Sequence, residues 1–181
     1  MYKVAVFVGS LRRESINLQF AKALAKLGAS KFTFHFVELG DVPLYNEDLW
    51  VDPPAGVLRL KQDIADADAV LFVTPEYNRS IPAVIKNVVD WGTRPVGQNS
   101  WSGKPASIVG ASPGNVGTAV AQAQLRSILV PLGLLLLGRP EVYFTMKPDL
   151  IDENHDITQD STRKFLQGYL DKFESWIAKG A

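Results

Sequence analysis

The sequence predicts an α/β fold: a three-layer sandwich in which a five-stranded parallel sheet carries helices on both faces. Three observations lead there. Strand-like and helix-like segments alternate about five times along the 181 residues, an order that buries a parallel sheet between two helical layers. The segment 69–73, AVLFV, is wholly apolar, as a strand covered on both sides should be. Three strand-like segments end in polar loops of unusual composition, and ligands of open parallel sheets bind beyond the carboxyl ends of the strands. No internal repeat or domain boundary breaks the pattern, so 1–181 is read as a single domain.

Each element has its own signal. The first strand is the β-branched run Val4-Ala5-Val6-Phe7-Val8, which breaks at Gly9. The polar stretch Ser10 to Ser15 follows, then a helix from Ile16 with Phe20, Leu24 and Leu27 on one face and a stop at Gly28. Residues 32–37 alternate as a second strand. His35 in it is read as a solvent-side or edge residue, with no partner motif for a metal or a base. Residues 39–54 form a long connection rich in Pro, Tyr and Trp. It suits either a functional loop or one packed by its own aromatics. A helix over 57–67 and the strand 69–73 come next.

The loop Thr74 to Ser80 leads into a helix over 81–91, with Ser80 as the natural cap and Pro82 in the first turn. Ile81, Val84, Ile85, Val88 and Trp91 form its apolar stripe, with Lys86 and Asn87 pointing elsewhere. The fourth strand is 105–110, the third loop 111–117, and a helix over 118–130 ends near Pro131. Leu134–Leu137, alone or together with 142–144, supplies the fifth strand. A helix over 162–178 closes the chain.

Composition narrows the function. Nineteen basic residues balance nineteen acidic ones, which argues against nucleic acid as a partner and against an acidic carrier that docks on basic proteins. There is no cysteine, so disulfides, thiolate metal sites, Cys-ligated clusters and a cysteine nucleophile are excluded. Any redox chemistry needs a cofactor. The apolar start is too short for a leader, and the run 128–137 is interrupted by Pro131 and Gly133. A cytoplasmic protein without membrane insertion is expected.

The three loops at the strand ends should meet. The first places a helix N-terminus, with its unpaired N–H groups and partial positive charge, beside Ser10, Arg12, Ser15 and Asn17. It lacks the three glycines of the dinucleotide fingerprint and the Gly-Lys-Ser/Thr of a P-loop. A single terminal phosphate suits it; a capped helix start with solvated arginines is the plain alternative. The second loop, Pro75-Glu76-Tyr77-Asn78, offers exposed backbone and an aromatic ring to the edge of a flat heterocycle. By itself it also reads as an ordinary turn. The third has Gly110, Gly114 and Gly117 around Ser112 and Asn115, either a close approach to a planar ligand or a turn of low specificity.

Taken together, these residues resemble a known family. Gly9-Ser10-Leu11-Arg12 with Ser15 and Asn17, followed by Pro75-Glu76-Tyr77-Asn78 with Ser80, Pro82, Lys86-Asn87 and Asp90-Trp91, looks like the NAD(P)H-dependent FMN reductases. More narrowly, it is similar to their bacterial quinone and chromate reductase branch. The resemblance runs from the first strand through the fourth helix. It implies a flavodoxin-like fold with noncovalent FMN and NAD(P)H as electron donor. Ser10, Leu11, Arg12, Ser15, Ile16 and Asn17 would wrap the phosphate. Pro75, Glu76, Tyr77 and Asn78 would meet the isoalloxazine, and Ser112 would touch it from the other side. Arg13-Glu14 is this chain's own variation, with Glu14 expected to point to solvent.

The activity implied is ping-pong hydride transfer from NAD(P)H to a quinone-like acceptor, with chromate, azo dyes and nitroaromatics as further acceptors. No acid or base is assigned and no metal is expected, because the flavin carries the hydride. A homodimer or homotetramer is also implied, with the helix over 81–91 and an Arg126–Glu141 pair as candidate contacts. Two rivals remain: a flavodoxin-like electron carrier without its own NAD(P)H turnover, and a phosphate-ester enzyme on the same fold.

Overall fold

A computed structural model describes residues 1–180. The strands are β1 (Tyr2–Val8), β2 (Phe32–Phe36), β3 (Ala69–Val73), β4 (Pro105–Ser112), β5 (Leu135–Leu136) and β6 (Val142–Thr145). The helices are α1 (Ile16–Leu27), α2 (Ala55–Ala65), α3 (Ala83–Gly92), α4 (Ala119–Leu129) and α5 (Asp160–Gly180). The sheet runs β2-β1-β3-β4-β5, every pairing is parallel, and β6 also pairs with β4. This is the flavodoxin-like order, whose switch point lies between β1 and β3.

The fifth position of the sheet is divided. β5 pairs with Pro105 and Ala106 at the start of β4, and β6 pairs with Val109 to Ser112 at its end. Between them lies Gly138-Arg139-Pro140, where Pro140 has no N–H for a ladder. A single strand was expected here, from the first run alone or from both, and the structure shows two short strands that share one edge of β4.

Alternation along β1 explains the layers. Val4 and Val6 face one core with Phe20 and Leu24 of α1 and Tyr169 and Phe173 of α5. Ala5 and Phe7 face the other with Leu60 of α2, Val88 of α3 and Leu125 of α4. Side chains on a strand point alternately to opposite faces, so both neighbours are buried only when both faces are covered. Phe7 stacks on Phe72 at 5.2 Å and meets Trp101 edge-on at 5.4 Å. Truncating a buried ring of this kind costs about 3–5 kcal/mol.

The long connection after β2 is held down by α3. Asn87 is buried; its Nδ2 donates to the Pro43 carbonyl at 2.9 Å and its Oδ1 accepts from Tyr45 N–H at 2.8 Å. Trp91 Nε1 donates to the same Pro43 carbonyl at 2.8 Å, and the rings of Tyr45 and Trp50 pack edge-on against Trp91. The connection is therefore packed by its own aromatics. Asn87 departs from the expectation that it points away with Lys86. It lies one turn before Trp91 and shares that face, whereas Lys86 faces outward and pairs with Asp90 at 2.7 Å.

A second departure concerns Ser80. It does not cap α3, which begins at Ala83 with Pro82 in the cap position and no side-chain cap. The Ser80 hydroxyl instead donates to Gln124 Oε1 at 2.8 Å. His35 also acquires a partner, since its Nε2 lies 2.9 Å from Asp63 Oδ1. Arg126 and Glu141 approach each other within the chain, at 3.6 Å. Among the described residues, no helix is long and apolar enough to cross a membrane.

Candidate functional site

The β1, β3 and β4 loops meet at one cleft beyond the carboxyl ends of these strands. Of the residues expected there, Ser10, Arg12, Ser15, Ile16, Asn17, Pro75, Glu76, Tyr77 and Ser112 line it. Leu11 turns outward to a neighbouring depression shared with Phe36 and Leu39. Asn78 sits beyond the lining, within the turn that follows Tyr77. Glu14, expected only to point to solvent, also lines the cleft, and Ala111 and Pro113 do so without having been singled out. Their signal in the sequence was only position, next to residues that were.

The loops come together because two residues lack side chains. A Cβ on Gly9 would sit 2.8 Å from Pro75 Cδ and 2.9 Å from both Ile85 Cγ1 and Pro82 Cγ. A Cβ on Gly110 would sit 2.0 Å from Thr118 Oγ1 and 2.2 Å from the Thr74 carbonyl. The first contact seats loop one against loop two, and the second seats β4 against both loop two and the start of α4.

Two helices start at this cleft, and their N-termini differ in electrostatic condition. In α1, Ser15 Oγ accepts from Leu18 N–H at 3.2 Å and the Ser15 carbonyl accepts from Gln19 N–H at 3.0 Å. The first-turn N–H groups of Ile16 and Asn17 have no intrahelical acceptor. In α4, Thr118 makes no cap. The carboxylate of Glu76 does so from another loop: Oε2 accepts from Val120 N–H at 3.0 Å and Ala121 N–H at 3.2 Å. That side chain is only 9% exposed, and Oε1 pairs with Arg79 at 3.2 Å. The α4 terminus is thus neutralised from within, while the α1 terminus is open to an external anion.

Around that opening, Ser10 and Arg12 supply further donors. The Arg12 guanidinium is exposed and lies 3.2 Å from Glu14 Oε2. Glu14 faces solvent as expected, but it also engages the arginine, an exposed pair of small worth. Asn17 has a different task from a free donor. Its Nδ2 donates to the Ala111 carbonyl at 2.9 Å and its Oδ1 accepts from Ala111 N–H at 2.9 Å. Its backbone N–H is what it offers the cleft. Ser112 is also engaged, donating to the Gly114 carbonyl at 3.0 Å and accepting from Gly114 N–H at 3.2 Å.

Loop two closes the cleft with a tight turn. Tyr77 and Ser80 exchange both backbone hydrogen bonds at 3.0 Å. The two residues between them are left-handed, Asn78 with φ 51° and Arg79 with φ 62°. Asn tolerates that conformation; for Arg it costs about 1 kcal/mol or more. The turn holds the half-exposed Tyr77 ring over loop one, with its hydroxyl 3.4 Å from Ser10 Oγ.

The donor set fits a phosphate: two free helix N–H groups, two serine hydroxyls and an arginine, with an aromatic ring and exposed backbone alongside. The set suits a mononucleotide, one phosphate and one flat ring.

Comparison with known proteins points to the same class of cofactor. Residues 2–149 match the family model described as NADPH-dependent FMN reductase. The chain is 50% identical over 175 residues to a 2-hydroxy-1,4-benzoquinone reductase from Burkholderia sp, covering 97% of this chain and 96% of that one. It is 47% identical over 178 residues to a quinone reductase from Pseudomonas putida, covering 98% and 95%. Among solved structures, FerB, a flavoenzyme NAD(P)H:(acceptor) oxidoreductase from Paracoccus denitrificans, superposes with a TM-score of 0.98 at 49% identity over 99% of both chains.

Proposed function

The chain belongs to the NADPH-dependent FMN reductase family, and from that premise we propose that it is an FMN-dependent NAD(P)H oxidoreductase whose acceptors are quinones. The observation that carries the reading is the open N-terminus of α1 facing the turn at Tyr77 across one cleft, with Arg12 at its mouth. When bound, FMN supplies the centre that accepts and donates hydride.

The chain's own residues bind and orient. The N–H groups of Ile16 and Asn17, the hydroxyls of Ser10 and Ser15 and the Arg12 guanidinium hold the phosphate, with Leu11 flanking them. Arg12 would turn from Glu14 to the phosphate, since a doubly charged group outcompetes an exposed carboxylate. Pro75, Glu76, Tyr77 and Asn78 form the wall for the ring, with the peptide groups of the turn as donors and acceptors. Ser112 and its loop close the opposite side. No side chain of the cleft is assigned a proton-transfer role. The nicotinamide and the acceptor would use the cleft beside Tyr77 in turn, a ping-pong cycle. Chromate and nitroaromatics enter the same cleft as promiscuous acceptors. A cytoplasmic homodimer or homotetramer completes the proposal.

Steady-state oxidation of NADH and NADPH by the FMN-loaded protein, with and without a panel of quinones, tests it. Quinone-dependent turnover with at least one nucleotide is expected. Bound FMN with no nucleotide oxidation would identify an electron carrier instead.

A further inference from the structure

Glu76 lies in the loop expected to face the flavin ring, yet its carboxylate points to α4. Oε2 alone accepts both Val120 N–H and Ala121 N–H, and Oε1 holds Arg79. On the far side of the turn, Gln124 of α4 donates from Nε2 to the Arg79 carbonyl at 2.9 Å and accepts from the Ser80 hydroxyl at 2.8 Å. Helix α4 therefore grips the turn on both sides of its two left-handed residues, Asn78 and Arg79. Backbone strain of that kind persists only where the surroundings over-determine it.

We propose that Glu76 is a positioning residue: by capping α4 from the ring-facing loop it fastens the Tyr77 turn in the conformation that receives the isoalloxazine. The proposal rests on the FMN reading above and adds a role for a side chain that does not itself act on the ring. Its physical basis is reciprocal. The α4 start lacks a cap of its own, because Thr118 Oγ1 is taken by Gln122 Nε2 at 2.9 Å. The turn lacks a glycine that would make its conformation free of strain. One carboxylate answers both needs. The role requires an acceptor oxygen at the Oε2 position and does not require a charge there.

The test compares flavins with and without the phosphate. Apo wild-type protein, Glu76→Ala and Glu76→Gln are titrated with riboflavin and with FMN, and binding is read from flavin fluorescence. Glu76→Ala should weaken both ligands by a similar factor, about tenfold, the size of a lost helix cap. Glu76→Gln keeps an acceptor oxygen for both N–H groups and should stay within about threefold of wild type for both. That rescue is what a need for charge would not give. Should Glu76→Ala fail to fold, Gln124→Ala reads the same property from the other half of the grip and should weaken both ligands alike. Riboflavin bound as tightly by the alanine variant as by wild type overturns the proposal, as does a glutamine variant as weak as alanine. Wild-type protein that binds neither flavin overturns the FMN reading and this proposal with it.

Discussion

The side chain of Asn17 continues a β-ladder. Its amide makes two 2.9 Å hydrogen bonds with the backbone of Ala111, on the edge of β4 where β3 has ended. Val109 is paired with Val73 and its carbonyl accepts from Thr74 N–H. Ala111, two residues on, presents its groups to the same side. Pro75 has no N–H to meet them, so helix α1 supplies the missing partner. Loop one and loop three are joined through that buried pair.

Asn17→Ala leaves two buried backbone groups without partners. The expected loss is about 2–3 kcal/mol of stability, read as a lower urea midpoint. Because the pair also seats loop three, FMN binding should weaken even though alanine keeps the helix N–H at position 17.

Arg12→Ala should weaken FMN by about 1–2 kcal/mol, below the full value of a charge-assisted hydrogen bond because the guanidinium is exposed. Riboflavin binding should not change. The FMN deficit should shrink as salt is raised. Titration of both flavins at two ionic strengths checks all three statements. Equal losses for both flavins would remove Arg12 from the phosphate.

Gly9→Ala introduces a methyl group into contacts of 2.8–2.9 Å with Pro75, Pro82 and Ile85. Overpacking of this kind costs about 1–3 kcal/mol, and it pushes loop one off loop two. Thermal unfolding should fall, and FMN should be lost during purification more readily than from wild type.

The connection after β2 carries a pH signature. Arg59 grips Asp41 with two bonds, 2.7 and 2.6 Å, and this hydrogen bonding holds the Asp41 carboxyl below its ordinary 3.8. A depressed carboxyl contributes stability above the unfolded value, and that contribution disappears as the pH falls through the folded value. Both groups are well exposed, so the pair is worth at most about 1 kcal/mol. Asp41→Asn should therefore be slightly less stable than wild type at neutral pH. Urea titrations at descending pH should show the two converging once the pH drops below 3.8.

Much of the fold was legible because hydrophobic period and chain order are local. The all-apolar β3, the stripe of α1 and the stop at Gly28 each carry their own signal. The meeting of the three loops followed from topology alone. The direction of particular side chains did not, because it depends on partners distant in the chain. Glu76 reads as part of a ligand loop until α4, 44 residues on, is seen to need a cap. Asn17 reads as a phosphate donor until Ala111 claims its amide. Ser80 reads as a cap until Gln124 takes its hydroxyl. Asn87 reads as a surface residue until the backbone of the Pro43–Tyr45 segment is found against it. Each of these polar groups is satisfied by a contact that spans tens of residues, which no local pattern encodes.

In the proposed cycle one cleft receives the nucleotide and then the acceptor, with bound FMN between them. Anaerobic mixing of the FMN-loaded protein with a stoichiometric amount of NADH or NADPH, followed by benzoquinone, tests it most directly. The flavin's visible absorbance should bleach on the nucleotide alone and return on the quinone. A flavin that keeps its colour with both nucleotides, or does not regain it with quinone, would contradict the account.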